Sequence, residues 1–319
     1  MSFAFVFPGQ GSQSVGMLAS LAAEEPLVQE TFAESSEVLG YDLWKLCENG
    51  PADELGATER TQPAMLAAGV ATWRVWRKHG GGLPAAMAGH SLGEYTALVC
   101  SGALDFRTAV ALVQFRGQAM QAAVPAGQGA MAAILGLDDA DVEAACSEAA
   151  QGETVQAANF NSPGQVVIAG TSAAVERAIE IATAKGAKKA IPLPVSVPSH
   201  SAMMRPAAER LAAKLHDIQF AAPEVRDVYT VDVRKHGDAA SIKAALVEQL
   251  VKPVRWTQTI QAMIAGGART IIECGPGRVL SGLNRRIERR RDVAVLAIED
   301  PESLQQALQA TQQTSKGGT

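Results

Sequence analysis

Short apolar runs alternate with longer amphipathic stretches along this chain, and that rhythm predicts an α/β protein. Phe3-Ala-Phe-Val-Phe7 is uniformly apolar, as in a strand buried on both faces, and Pro8-Gly-Gln-Gly-Ser12 ends the run in a turn. Helical periodicity follows over residues 27–39 and 63–78, and Gly80-Gly-Gly-Leu-Pro84 stops the second helix. Ala85-Ala-Met-Ala-Gly89 reads as a short core strand, with an Ala-rich helix beyond it to about residue 101. A further helix covers residues 105–124, opened by Asp105 as a cap.

The texture changes after Pro125. Strands are predicted at residues 129–135, 155–159, 165–169 and 189–193, with helices at 138–150 and 173–185 and a turn at Asn161-Ser-Pro-Gly164. The order β-α-β-β-α-β is the split ferredoxin-like pattern. The α/β rhythm then resumes and ends with a strand at 270–274, a Gly275-Pro-Gly277 turn and a helix over 280–290. The expected fold is therefore an α/β-hydrolase-like core with a parallel sheet, plus an inserted ferredoxin-like subdomain. The core is expected from residues 1–125 and 196–310, the insert from 126–195, and a disordered polar tail from 311–319.

Composition narrows the function classes. A length of 319 residues suits two folding units or one core with an insert, and 47% hydrophobic residues are enough for a sizeable core. A net charge of −5 argues against a nucleic-acid partner. Cys47, Cys100, Cys146 and Cys274 have neither C-x-x-C nor zinc-ligand spacing, which points to free thiols in a reducing compartment and to no metal. The N-terminus lacks a signal-peptide pattern and no apolar run reaches membrane-spanning length, so the expected location is the cytoplasm, with no membrane partner.

The strongest chemical signal is Gly89-His-Ser-Leu-Gly93, a G-x-S-x-G motif between a predicted strand and a predicted helix. A sharp turn there exposes the hydroxyl of Ser91, the glycines let backbones pass closely, and the helix N-terminus favours a developing oxyanion. The bland alternative is a turn serine that caps the helix. A serine nucleophile needs a base. Among five histidines, His200 stands at the end of the extended run Pro194-Val-Ser-Val-Pro-Ser-His-Ser201, where open α/β sheets place ligand-facing residues. An ordinary loop histidine is the competing reading. His90 fits packing beneath the turn better than catalysis. Oxyanion donors are expected from the amide of Leu92, after the nucleophile, and from Gln10 in the Gly9-Gln-Gly11 turn. That turn does not have dinucleotide-loop spacing, so no nucleotide cofactor is implied.

These residues also carry a resemblance. Phe7-Pro-Gly-Gln-Gly-Ser-Gln13, Thr61-Gln-Pro-Ala64, Gly89-His-Ser-Leu-Gly-Glu94, Arg116-Gly, Asn159-Phe-Asn-Ser-Pro-Gly-Gln165, Val197-Pro-Ser-His200, Gln249-Leu-Val-Lys-Pro-Val-Arg-Trp256 and Glu273-Cys-Gly-Pro-Gly277 occur in one order. In that order the chain, apart from its tail, resembles the bacterial malonyl-CoA:acyl-carrier-protein transacylases of fatty acid synthesis. The resemblance implies transfer of malonyl from malonyl-CoA to the phosphopantetheine thiol of acyl carrier protein, by a ping-pong route through a malonyl ester of Ser91, with no cofactor. It makes His200 the base, oriented by a backbone carbonyl at Gln249. It makes Arg116 the holder of the malonyl carboxylate, gives Gln10 and Leu92 the oxyanion amides, and puts Gln62 in the pocket. Without it, Arg116 reads as a surface helix charge. With it, the chemistry is coherent, because a free carboxylate needs a cation and guanidinium grips it with two prongs.

One departure is Thr230, in Val228-Tyr-Thr-Val231, where related sequences usually show asparagine. The cluster Arg285-Arg-Ile-Glu-Arg-Arg-Arg291 is basic in an acidic chain. It reads either as a solvated helix face or as a landing patch, through Arg285, Arg286, Arg289 and Arg290, for the acidic carrier protein or the coenzyme A phosphates. Two other functions remain open on sequence. A serine hydrolase or thioesterase would need a carboxylate for its histidine, from Asp292 or Asp300. A malonyl transfer component of malonate decarboxylase would differ only in its acceptor.

Overall fold

Two sheets organise the chain. A computed structural model describes residues 2–195 and 197–316. Its strands are β1 (Ser2–Phe7), β2 (Ala86–Gly89), β3 (Gly129–Leu135), β4 (Val155–Ser162), β5 (Gln165–Thr171), β6 (Lys189–Pro192), β7 (Asp227–Tyr229), β8 (Ala268–Cys274) and β9 (Ala294–Ile298). The larger sheet runs β7-β2-β1-β8-β9, and all its neighbouring pairs are parallel. The smaller runs β4-β5-β3-β6 and is antiparallel. This is the expected combination of a parallel core sheet with a ferredoxin-like unit.

The apolar run of β1 is explained by burial on both faces. Phe5 and Phe7 join a core that includes Trp73 and Trp76, while Ala4 and Val6 face a second core with Ala86, Ala88, Trp256 and Ile260. From β1 the chain continues to β2 on one side, and β8 lies on the other. The carboxyl ends of β1 and β2 therefore flank the point where the strand order reverses, the place where open α/β sheets hold ligands. In the smaller unit, helices Asp139–Ala150 and Ser172–Ala184 close a separate core with Ile134, Val166 and Ile168. Strand β4 joins the two units: Phe160 N–H donates to Val254 O at 2.9 Å, and Val254 N–H donates to Ala158 O at 2.9 Å.

Several boundaries differ from the sequence reading, three of them for a visible reason. The helix expected at 63–78 is Thr58–Lys78 and contains Pro63, whose missing N–H falls near the start, where only one intrahelical bond is forfeited. The helix expected to reach residue 290 ends at Ile287, where the Glu288 carboxylate reaches forward to accept from Arg290 N–H at 2.8 Å. Arg289 and Arg290 thus lie beyond the helix. The last helix, Pro301–Lys316, takes in Thr311 and the residues after it, so the expected tail is helical there. Its opening is fixed by Asp300, which accepts from Ser303 N–H at 2.8 Å, and Leu304, Ala307 and Leu308 bury its inner face. Residues 317–319 of that tail and Ser196, the expected start of the second core segment, lie outside the described residues.

No helix among the described residues is long and apolar enough to cross a membrane. All four cysteines are buried and unpaired.

Close backbone approach at the ends of β1 and β2 makes two glycines obligatory. A Cβ on Gly93 would lie 2.0 Å from Phe7 O, and one on Gly89 would lie 1.8 Å from the carbonyl carbon of Gly93. Both obstacles are backbone, so neither can swing away. Gly93→Ala is expected to lower stability by about 3 kcal/mol or more, read as an earlier midpoint in urea unfolding. A midpoint unchanged from wild type would contradict this close approach.

Candidate active site

The turn after β2 puts Ser91 at φ 52°, a left-handed conformation that residues with a Cβ seldom adopt. Surrounding contacts impose it. His90 N–H donates to Phe7 O at 3.0 Å, Gly93 N–H donates to His90 O at 3.0 Å, and the helix Gly93–Cys100 begins at once. The turn after β1 sits against this one, since a Cβ on Gly9 would lie 2.5 Å from His90 O and 3.7 Å from Leu92 N. No acceptor among the described residues takes the backbone N–H of Gln10 or Leu92. The Gln10 side chain is occupied elsewhere, donating to Thr58 Oγ1 at 3.4 Å.

His200 arrives from the far side of the chain, also in a left-handed conformation at φ 60°. A tight turn holds it, in which Ser201 Oγ donates to Pro198 O at 2.6 Å. Its Nδ1 lies 2.8 Å from Gln249 O, and its Nε2 lies 2.7 Å from Ser91 Oγ. A carbonyl can only accept, so Nδ1 carries the proton and Nε2 is free to accept from the serine hydroxyl. Burial, reinforced by the Arg116 charge, holds the imidazole pKa down at about 3. The pair is therefore a hydroxyl beside a neutral imidazole, as a general base requires.

Arg116, on the helix Phe106–Ala123, is 1% exposed. It is not a surface charge. One guanidinium nitrogen, Nη1, donates to Gln62 Oε1 at 2.8 Å; the other, Nη2, donates to Gln249 Oε1 at 2.8 Å and approaches Ser91 Oγ at 3.4 Å. The Tyr95 ring lies beneath it, 5.4 Å from centroid to guanidinium carbon. Among the described residues, Arg116 Nε has no hydrogen-bond partner. Burial lowers its pKa from the ordinary value, yet guanidinium stays charged in proteins. Its hydrogen-bond acceptors among the described residues are two amides and a hydroxyl, none of them a carboxylate. A cation is thus buried next to Ser91 with no carboxylate among the described residues on its prongs.

The site also holds residues to which sequence analysis gave no role. Glu94, one helical turn after Ser91, is 1% exposed, and its Oε2 accepts from Gln249 Nε2 at 2.6 Å. Burial pushes its pKa up to about 8, against the pull of the Gln249 amide and the Arg116 charge. A charged residue in an otherwise apolar helix face was the available signal. Asn161, read as a turn residue, lies in β4 with Oδ1 2.8 Å from His90 Nε2, and the His90 ring meets Trp256 edge-on at 5.4 Å. His90 thus braces the serine turn from the smaller sheet. Thr230, just beyond β7, donates to Asp232 Oδ1 at 2.8 Å. With Ser91, Glu94 and Gln249 it lines a narrow cavity of about 10 Å³.

The carboxylates required by a hydrolase triad are elsewhere. Asp292 lies 3.5 Å from Arg269 Nε, and Asp300 caps the last helix. Of the basic cluster, Arg285, Arg286, Arg289 and Arg290 are exposed. Arg286 donates to Gln165 Oε1 at 2.9 Å and Arg290 to Glu288 Oε2 at 3.0 Å.

A histidine held neutral when folded but free to protonate when unfolded gives the unfolded chain the extra proton at low pH. The stability contribution from His200 therefore declines as pH falls from about 6.5 towards about 3. In the free enzyme the His200 imidazole is expected to remain neutral at pH 5 by NMR titration, with its midpoint below about pH 5, well under the ordinary value. A midpoint near 6.5 would contradict the described burial.

The acyl transferase domain family matches residues 4–303. The malonyl CoA-acyl carrier protein transacylase of Salmonella typhimurium is 58% identical over 306 residues, covering 96% of this chain and 98% of the relative. That of Bacillus subtilis is 45% identical over 307 residues, covering 96% of each. Among solved structures, a malonyl-transacylase in complex with a type II PKS acyl-carrier protein superposes with TM-score 0.95 at 55% identity, covering 97% of this chain and 100% of that one. An acyl carrier protein S-malonyltransferase from Vibrio cholerae gives 0.93 at 56% identity, covering 96% and 100%. The same ordered segments that surround Ser91, His200 and Arg116 lie within these matched lengths, and the chain belongs to the acyl transferase domain family as one of its malonyl CoA-acyl carrier protein transacylases.

Proposed function

We propose that this protein transfers malonyl from malonyl-CoA to the phosphopantetheine thiol of acyl carrier protein, supplying malonyl carrier protein for fatty acid synthesis, by a ping-pong route through a malonyl ester of Ser91. The observation that carries the choice of acyl group is Arg116, a buried guanidinium 3.4 Å from Ser91 Oγ whose acceptors are neutral. Malonyl is an acyl group that carries its own carboxylate. Two parallel N–H···O bonds from guanidinium would hold it with the thioester carbonyl beside Ser91.

In the first half-reaction Ser91 Oγ attacks the thioester carbon while its proton passes to His200 Nε2. The oxyanion is received by the N–H groups of Gln10 and Leu92, each worth about 3 kcal/mol in a transition state. The tetrahedral intermediate collapses, the C–S bond breaks, and His200 returns the proton to the departing coenzyme A thiolate. In the second half-reaction the carrier-protein thiol gives its proton to His200 and attacks the ester, and Ser91 leaves with the proton. No cofactor or metal enters either half.

The electrostatics couple donor choice to the chemical step. An imidazolium at His200 would face a second positive charge at Arg116, which is one cause of its low pKa. A malonyl carboxylate bound to Arg116 cancels that charge, so His200 accepts the serine proton more readily. An acetyl donor leaves the repulsion in place. Discrimination should therefore appear in the acylation rate as well as in binding.

The acceptor side rests on the exposed Arg285, Arg286, Arg289 and Arg290, whose positive field suits an acidic carrier protein or the phosphates of coenzyme A. A cytoplasmic location belongs to the same reading, supported by four buried, unpaired cysteines.

Arg116→Ala is expected to lose malonyl preference. The ratio of kcat/KM for malonyl-CoA to that for acetyl-CoA should fall by roughly 10- to 100-fold, the value of hydrogen bonds to a charged group. An equal loss for both donors would contradict the carboxylate role.

A further inference from the structure

We infer that Glu94 is a positioning residue that sets donor specificity through Gln249 and Arg116; the inference rests on the malonyl-transfer reading above. Four side chains from four helices form one line of hydrogen bonds. Glu94 Oε2 accepts from Gln249 Nε2 at 2.6 Å, Gln249 Oε1 accepts from Arg116 Nη2 at 2.8 Å, and Arg116 Nη1 donates to Gln62 Oε1 at 2.8 Å. All four residues are at most 1% exposed.

The chemistry of the line has one direction. Arg116 can only donate, so Gln249 must offer it Oε1. Its Nε2 then carries two hydrogens that need acceptors in a buried setting. One goes to Ser91 O at 3.0 Å and the other to Glu94. The Oε2 acceptor of Glu94 thus anchors an amide which anchors the cation. The amide also separates Glu94 from Arg116. A carboxylate in direct contact with the guanidinium would occupy the prongs that a malonyl group needs, and Glu94 is held one residue too far away to do so.

Removing the acceptor leaves a buried N–H unsatisfied, frees the Gln249 side chain to rotate, and lets the Arg116 fork lose its aim. The Gln249 carbonyl that orients His200 is backbone and stays, so acyl transfer as such persists. Glu94 lines the narrow cavity beside Ser91 and Gln249, and its Oε2 is held by Gln249. The line therefore acts through Gln249 rather than on the substrate.

The test compares full-length wild type, Glu94→Met (similar length, no acceptor) and Glu94→Gln (acceptor kept), with malonyl-CoA and acetyl-CoA as donors and carrier protein as acceptor. Glu94→Met should lower the malonyl-to-acetyl ratio of kcat/KM by about 10-fold or more, and Glu94→Gln should restore it to within about threefold. General destabilisation would lower both donors alike and leave the ratio unmoved. If Glu94→Met does not fold, Glu94→Ala is read in its place. A Met or Ala variant that keeps the wild-type ratio overturns the assignment. So does a Gln variant that loses it as fully, because charge rather than the acceptor would then be responsible. Wild type with no malonyl preference would instead sink the malonyl-transfer reading itself.

Discussion

A single positive charge buried without a carboxylate on its prongs organises this protein. Desolvating a guanidinium costs several kcal/mol even after the protein relaxes around it. The fold offsets that cost with neutral groups: the Gln62 and Gln249 amides and the face of Tyr95. The arrangement satisfies the guanidinium without neutralising its charge. Burial, and after it the same charge, depresses the basicity of His200 and keeps a neutral imidazole beside Ser91. Burial beside Ser91 is thus the constraint that Arg116 and His200 share.

That constraint is met because the parallel sheet delivers two turns to one point. The ends of β1 and β2 are in register at Phe7 and Gly89, and glycines at 89 and 93 let the turn after β2 close against the first strand. The resulting left-handed serine faces a left-handed histidine from another part of the chain. The smaller sheet takes part from outside, through Asn161 bonded to His90 and through β4 bonded to the backbone at Val254. The inserted unit and the core are therefore mechanically joined at the serine turn.

Legibility in the sequence follows how local each constraint is. Strand β1 was readable because burial on both faces forces an unbroken apolar run. The serine turn was readable because a sharp strand-to-helix turn demands small residues at fixed offsets. The ferredoxin-like unit was readable because its alternating periods are contiguous. The Arg116 line was not readable from spacing, since Gln62, Glu94, Arg116 and Gln249 come from four helices and meet only in space. Resemblance supplied three of those residues, and Glu94 was visible only as an unassigned member of a motif. Helix ends depart from the periodicity where side chains decide them: Glu288 accepts from Arg290 N–H two residues on, and apolar residues seat the last helix.

The central claim is a covalent malonyl group carried by Ser91 between two thiols. Intact-protein mass spectrometry tests it most directly, after brief mixing with malonyl-CoA, on wild type and Ser91→Ala, followed by addition of carrier protein. The account predicts a gain of one malonyl group on wild type alone, then its transfer to carrier protein. An absent adduct, an adduct that survives Ser91→Ala, or discharge only to water would contradict it.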